Sequence, residues 1–300
     1  MTGLFREPER RPGDSGWLSR AQGCLLGQFC GDALGSQIEF LDAAQIREQY
    51  PDGVREMQDG GTFDTLAGQL TDDSEMALML ARSLVEQDRF DPQAVERAYR
   101  SWFKSEPFDC GNTIGSALAG RRDDGSESNG ALMRVSPLGI FGVRQLPTQV
   151  AEWVRQDAGI THTNRVRQEA NELYCVALSR AIMTGEEARL LYCHMLGWAE
   201  AGCSEPLVET VRRARRDAWD EKAVHTGWVL VALQNALWQI LHASSFEEAI
   251  VGTIRTAGIR TPTQPSAGRS MVPSAGSMEF PNAGSGPFWT VVRKRAVRTS

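Results

Sequence analysis

Gln69-Leu70-Thr71-Asp72-Asp73-Ser74-Glu75-Met76-Ala77-Leu78-Met79-Leu80 sets a hydroxyl and two adjacent carboxylates at the mouth of a strongly apolar helix pattern. A helix start usually takes a capping oxygen and tolerates negative charge, so one reading is a Thr or Asp N-cap with acids in the first turn. The surroundings point further. Gly60, Gly61 and Gly68 precede the stretch, and Gly31-Asp32-Ala33-Leu34-Gly35 brings another acid into a tight, small-residue segment. A hydroxyl and two carboxylates at one point make an all-oxygen site, which suits Mg²⁺ or Mn²⁺ rather than zinc or copper.

Helical spacing continues on both sides. Over 17–40 the glycines Gly23, Gly27, Gly31 and Gly35 recur every fourth residue, a ridge along which another backbone can approach closely. Asp32 lies on that ridge and Glu39 follows about two turns later. A buried carboxylate needs a partner or a metal, so both are candidates. After the stretch, helices are predicted over 72–86 and 92–104, the latter with Asp91 as cap and Pro92 at its first position. Others are predicted over 115–119, 149–157, 165–182, 186–200, 207–219 and 227–242, and a last one, capped by Ser244 or Ser245, runs to about Thr256. Nothing between them reads as alternating strand. The chain is expected to be all-α: one helical domain over 17–258, a flexible polar segment over 1–16, and a disordered tail over 259–300, where Pro, Gly, Ser and Arg dominate.

Three polar loops carry further candidates. Pro107-Phe108-Asp109-Cys110-Gly111-Asn112 places an acid and an amide three apart before a helix, an arrangement a simple turn would also use. Ser126-Glu127-Ser128-Asn129-Gly130 leads to Met133-Arg134 and, as a small-residue loop opening a helix, could present N–H groups to an anion. His162 falls in the predicted loop 159–164.

Composition narrows the function. Of 300 residues 41% are hydrophobic and 23% charged, as in globular proteins, and the net charge of −6 argues against nucleic-acid binding. No run reaches membrane-spanning length, and the N-terminus lacks the apolar core of a signal peptide. Cys24, Cys30, Cys110, Cys175, Cys193 and Cys203 form no CxxC pair and read as reduced, mostly buried thiols of a cytoplasmic protein.

Together these motifs resemble the ADP-ribosylglycohydrolases, most nearly their bacterial branch that includes the dinitrogenase-reductase-activating glycohydrolase. The resemblance runs from about Trp17 to Gly258 and also includes Thr226-Gly227-Trp228. It implies an all-α fold with a binuclear Mg²⁺ or Mn²⁺ centre that cleaves ADP-ribose from modified protein side chains, arginine-linked by the branch it is most like. It implies that Thr71, Asp72 and Asp73 hold one side of the metal pair, with Glu39 near it, and that Asp109 is the acid/base against the reacting ribose with Asn112 beside it. It further implies that Ser128, Asn129, Gly130 and Arg134 line the ADP-ribose site and that His162 meets the distal part of the ligand. A non-catalytic ADP-ribose-binding or structural family member is the alternative.

One family element is missing. The resemblance calls for an Asp-x-Asp-Thr metal motif directly after a segment like 246–258, yet from 259 onward Glu279 is the sole acid. A one-nucleotide shift accounts for this. Codons permitted by Gly258-Ile259-Arg260-Thr261-Pro262 then read Asp-Thr-Asp-Thr, followed by helix-forming sequence. An Asp can hide only where the next visible codon starts AT or AC, and a Thr only where it starts with C; Ile, Arg, Thr and Pro meet both conditions twice in order. Some junctions allow no choice: Met278 before Glu279 gives Gly, and Trp289 before Thr290 gives Asp. The chain as written is therefore expected to hold half a metal site, with C-terminal helices lost, hydrolase activity impaired and apolar surface exposed.

Overall fold

The computed structural model describes residues 16–123, 125–217 and 229–257. Among them the ordered elements are twelve α-helices, short 3₁₀ turns and one isolated bridge between Gly60 and Thr65, so the all-α expectation holds. The predicted features over 1–15, the Thr226-Gly227-Trp228 motif and the tail from Gly258 onward lie outside the described residues.

Helix α1 (Trp17–Gly35) buries Gly23, Gly27, Gly31 and Gly35 and runs into a 3₁₀ turn at Ser36–Ile38. A short α2 (Ala43–Gln49) is closed by a reciprocal Asp42–Gln45 capping box. The loop from Tyr50 to Thr71 then leads to α3 (Asp72–Gln87), whose Met76, Ala77, Leu80 and Leu84 are buried at helical spacing. In α4 (Pro92–Lys104), Asp91 accepts from the Gln93 and Ala94 amides and the buried face is Val95, Tyr99 and Trp102. Helix α5 (Asn112–Leu118) begins three residues before its predicted start, because Asn112 and Thr113 enter its first turn.

The polar residues 125–131 open onto a 3₁₀ turn, Leu132–Arg134, and through it onto α6 (Ser136–Phe141). Helix α7 (Pro147–Thr161) outlasts its predicted end at 157, since Ala158, Ile160 and Thr161 continue its buried face. The link to α8 (Arg165–Thr184) shrinks to three residues, with Asn164 accepting the Val166 amide at 3.0 Å, and so short a link forces an antiparallel pair. Helix α8 is the hub. Leu173, Cys175, Val176, Ala177, Leu178, Ala181 and Ile182 are all buried, and it packs against α1, α6, α7, α9 (Ala188–Gly202) and α11 (Val229–His242). A helix buried on most of its circumference, polar Arg167, Glu169, Asn171 and Glu172 included, belongs at the centre of a domain. Helix α10 (Glu205–Arg213) packs on α9 and α11.

A second, smaller apolar cluster joins Leu34, Ile38, Ile46 and Val54 to Ile250 and Ile254 of α12 (Phe246–Ala257). It seats the end of α1, and with it Asp32 and Glu39, against the last described helix. All six cysteines are free; Cys24, Cys30 and Cys175 are buried and Cys193 is exposed. Among the described residues no helix is long and apolar enough to cross a membrane.

Candidate active site

The start of α3 is built around Asp32, not around a helix cap. Thr71 occupies the N-cap position, yet its side chain makes no cap hydrogen bond. Its amide donates to Asp32 Oδ2 at 2.9 Å and its hydroxyl donates to Asp32 Oδ1. Both carboxylate oxygens of Asp32 are thus taken by one residue, which welds the end of α1 to the start of α3. The capping interpretation of the threonine is thereby replaced by a tertiary one.

Asp72 and Asp73 follow, both buried. Burial, then the Asp32 charge, raises the Asp72 carboxyl to about 6, although the Gly111 amide donating to its Oδ2 at 2.9 Å pulls the other way. Asp73 is raised well above the ordinary carboxylate range by burial and by the Asp72 and Asp32 charges. Its Oδ2 is buried with no hydrogen-bond partner among the described residues. Gln28 of α1 braces the same turn from behind, donating to the Asp73 carbonyl at 3.3 Å and to the Met133 carbonyl at 2.8 Å. Three buried carboxylates crowded together call for positive charge. Hard oxygen donors of this kind fit Mg²⁺ or Mn²⁺, and Thr71, its proton committed to Asp32, still offers its oxygen lone pairs.

The Gly111–Asp72 bond also draws in the 107–112 loop. Asp109 is half-buried two residues from that bond, and Asn112 stands exposed at the first position of α5. Glu39 is buried just after the 3₁₀ turn, its carbonyl accepting the Thr62 hydroxyl. Phe40, Phe63 and Phe108 form an edge-to-face chain alongside, with ring centroids 6.0 and 5.6 Å apart. Phe40 and Phe108 are both exposed, so this acidic end has an aromatic rim that the sequence did not single out.

From α5 the site continues through hydroxyls. Thr113 and Ser126 meet at 2.6 Å, and Ser128 meets His162 Nε2 at 2.8 Å. Asn129 and Gly130 are buried behind Ser128. A Cβ on Gly130 would stand 2.9 Å from Ile114 Cδ1 and 3.2 Å from His162 Cε1. Gly130→Ala is therefore expected to cost about 1–3 kcal/mol by overpacking, read as a lowered Tm. An unchanged Tm would mean the Ile114 side chain simply swings away.

Contrary to the ligand-lining role expected of it, Arg134 is fully buried in the core. Its Nε donates to Asp157 Oδ2 at 3.2 Å, Nη1 to Thr161 Oγ1 at 2.8 Å and Nη2 to the Asp157 carbonyl at 2.9 Å. The Tyr99 hydroxyl donates to Asp157 Oδ1 at 2.7 Å, and the guanidinium lies 4.6 Å from the Tyr99 ring centroid. His162 is likewise fully buried and both of its ring nitrogens are engaged, Nε2 with Ser128 and Nδ1 with Thr161, so its contact with a ligand would run through Ser128. Because Thr161 Oγ1 accepts from Arg134, its own proton is available to His162 Nδ1 at 2.7 Å. That leaves the proton of the imidazole on Nε2, donating to Ser128, and the Ser128 hydroxyl proton directed elsewhere. Burial, with the Arg134 and Arg167 charges, holds the His162 pKa well below its ordinary value, so the ring is neutral.

Asp157, Tyr99 and Thr161 were not among the sequence candidates. One signal for Asp157 was present: it continues the spacing of Val150, Ala151 and Val154 on the apolar face of α7, where an acid must be paired.

Comparison with known proteins covers nearly this whole assembly. A profile described as ADP-ribosylglycohydrolase matches residues 14–259. The ADP-ribosyl-[dinitrogen reductase] glycohydrolase of Rhodospirillum rubrum is 29% identical over 263 residues, 83% of either chain. The ADP-ribosylarginine hydrolase Tri1 of Pseudomonas putida (strain GB-1) is 28% identical over 269 residues, 84% of this chain and 69% of that one. A solved structure titled ADP-ribosylglycohydrolase-related protein complex superimposes with a TM-score of 0.69 at 27% identity, covering 87% of this chain and 88% of its own.

Proposed function

Since the chain belongs to the ADP-ribosylglycohydrolase family, we propose that it is by descent a metal-dependent hydrolase that removes ADP-ribose from arginine side chains of modified proteins, and that the chain as written is impaired. The observation that carries the reading is the buried group of Asp32, Asp72 and Asp73 at one helix mouth, with Asp73 Oδ2 lacking a hydrogen-bond partner. Thr71, Asp72 and Asp73 would hold one side of a Mg²⁺ or Mn²⁺ pair, with Glu39 near it. The cations, when bound, would orient the ribose hydroxyls and lower the pKa of water.

The protein's own groups do the remaining work. Asp109, half-buried two residues from the Gly111–Asp72 bond, would hand a proton to the departing side-chain nitrogen and take one from water. Asn112, exposed at the first position of α5, would hydrogen-bond the ribose. Ser128 offers its hydroxyl, and Asn129 and Gly130 shape the wall behind it. Arg134 and His162 position Ser128 without reaching the ligand. The names of the two relatives, which specify a dinitrogen reductase and ADP-ribosylarginine, support an arginine-linked protein substrate.

Impairment is supported by the sequence: the profile match stops at residue 259, and beyond it Glu279 is the sole acid. The same fact favours the second reading, a protein that binds ADP-ribose without turnover. Calorimetry with ADP-ribose, with and without Mg²⁺, separates them. Binding that Mg²⁺ strengthens indicates a metal centre, if only a partial one, binding that Mg²⁺ leaves unchanged indicates the non-catalytic protein, and no binding in either condition would sink both.

The acidic end also makes a pH prediction. The folded Asp72 pKa of about 6 lies above its ordinary value, so the folded state holds more protons than the unfolded chain between roughly pH 4 and 6. Stability from this group is fully present below that window and is lost as pH rises through it. In EDTA, Asp72→Asn is expected to stabilise the protein at pH 7 by an amount on the order of 3 kcal/mol and to do little at pH 4. Equal Tm gains at the two pH values would contradict the assignment.

A further inference from the structure

Arg167 stands on the first turn of α8 and is 1% exposed. Among the described residues its Nε, Nη1 and Nη2 are all buried without a hydrogen-bond partner. A guanidinium carries five N–H donors in a planar fork and stays charged, so burying it unmatched is costly. The contrast with Arg134 is direct: that arginine is equally buried, and all three of its nitrogens are satisfied. Electrostatically, Arg167 faces Glu127 and Asp123 on the 119–131 loop and His162 at the end of α7. Both acids are exposed, and neither pairs with Arg167. Asn171, one turn further along α8, donates to the Arg167 carbonyl at 2.8 Å and keeps a buried Oδ1 without a partner.

The charges of the site are therefore divided. Asp32, Asp72 and Asp73 crowd negative charge at the start of α3. At the other end Arg134 is neutralised by Asp157 and His162, which bonds Ser128, is neutral, which leaves the Arg167 cation, near enough to His162 to act on it electrostatically, without an ion pair among the described residues. A molecule lying along such a site should meet cations at one end and offer an anion at the other.

We infer that Arg167 is the anion receptor of this site, its buried guanidinium taking the diphosphate of a nucleoside-diphosphate ligand between the first turn of α8 and the 119–131 loop. This rests on the ADP-ribose reading above and adds to it the residue that recognises the phosphates. A planar fork matches two phosphate oxygens at once. The recognition needs no metal, so it can be measured in the full chain with EDTA present.

The test is calorimetry with ADP-ribose, ADP and adenosine on the parent protein, Arg167→Met and Arg167→Lys, with a melting curve for each. The parent is expected to bind ADP-ribose and ADP in EDTA and adenosine far more weakly. Arg167→Met is expected to weaken ADP and ADP-ribose by roughly 30-fold or more, to leave adenosine unchanged, and to melt no lower than the parent, since it loses a charge without a partner. Arg167→Lys, which keeps the charge but not the fork, should fall between. If Arg167→Met binds ADP as the parent does, or weakens adenosine and ADP alike while melting lower, the inference fails and the ADP-ribose reading stands. If the parent binds none of the three, with EDTA or with Mg²⁺, both fail.

Discussion

Arg134→Met is expected to lower stability by about 3–5 kcal/mol, because it removes one member of a buried ion pair and leaves the other charged in the core. For a chain of this size the melting point should fall by on the order of 10 °C. The same change strands more than Asp157. Thr161 loses its donor, and with it the arrangement that keeps the His162 proton on Nε2. The double change Arg134→Met with Asp157→Leu should recover a large part of the loss, since an apolar pair of similar volume replaces a desolvated one. Tyr99 then keeps a hydroxyl with no acceptor, so recovery should be incomplete. Nitrogen NMR of His162 supplies a readout that stability alone does not: the tautomer should change in Arg134→Met and in Thr161→Val. A single mutant that melts with the parent would show that water, not Asp157, satisfies the guanidinium.

This network also marks where the sequence could and could not be read. Helices were legible because burial is periodic. The spacing of Met76, Leu80 and Leu84, or the Asp91-Pro92 start of α4, needs no knowledge of the rest of the chain. The extension of α7 to Thr161 was obscured by Gly159, which breaks the local pattern while its neighbours stay buried. Side-chain partnership is a different matter. Nothing local tells Thr71 to ignore its own helix and take Asp32, a residue 39 positions away, because the cap and the tertiary bond use the same hydroxyl. Arg134 illustrates the same limit, since a lone arginine after a polar loop looks the same whether it faces a ligand or an acid on α7. Only the fold supplies Asp157, and only the fold shows that Arg167, an unremarked member of a helix pattern, is left without one.

Re-encoding the chain after Gly258 in the shifted frame is expected to raise metal-dependent hydrolysis of ADP-ribosylarginine by about a thousandfold or more, the scale on which a metal ion stabilises developing charge. The argument is one of charge. Two divalent cations bring four positive charges; Asp32, Asp72 and Asp73, with Glu39 nearby, could match them only if all four were ionised, and burial with mutual repulsion raises the Asp72 and Asp73 pKa values against that. A second cation would then face the first with too little between them. Two more carboxylates from an Asp-x-Asp-Thr segment reverse that balance and in the same step lower the pKa of Asp72 toward its ordinary range, because bound cations favour the ionised form. The re-encoded protein should therefore show a larger Mg²⁺-dependent rise in Tm than the chain as written, and EDTA should abolish its turnover. Equal metal-dependent turnover by both proteins would show that the earlier carboxylates suffice. Source DNA whose codons forbid the shifted reading would remove its basis altogether.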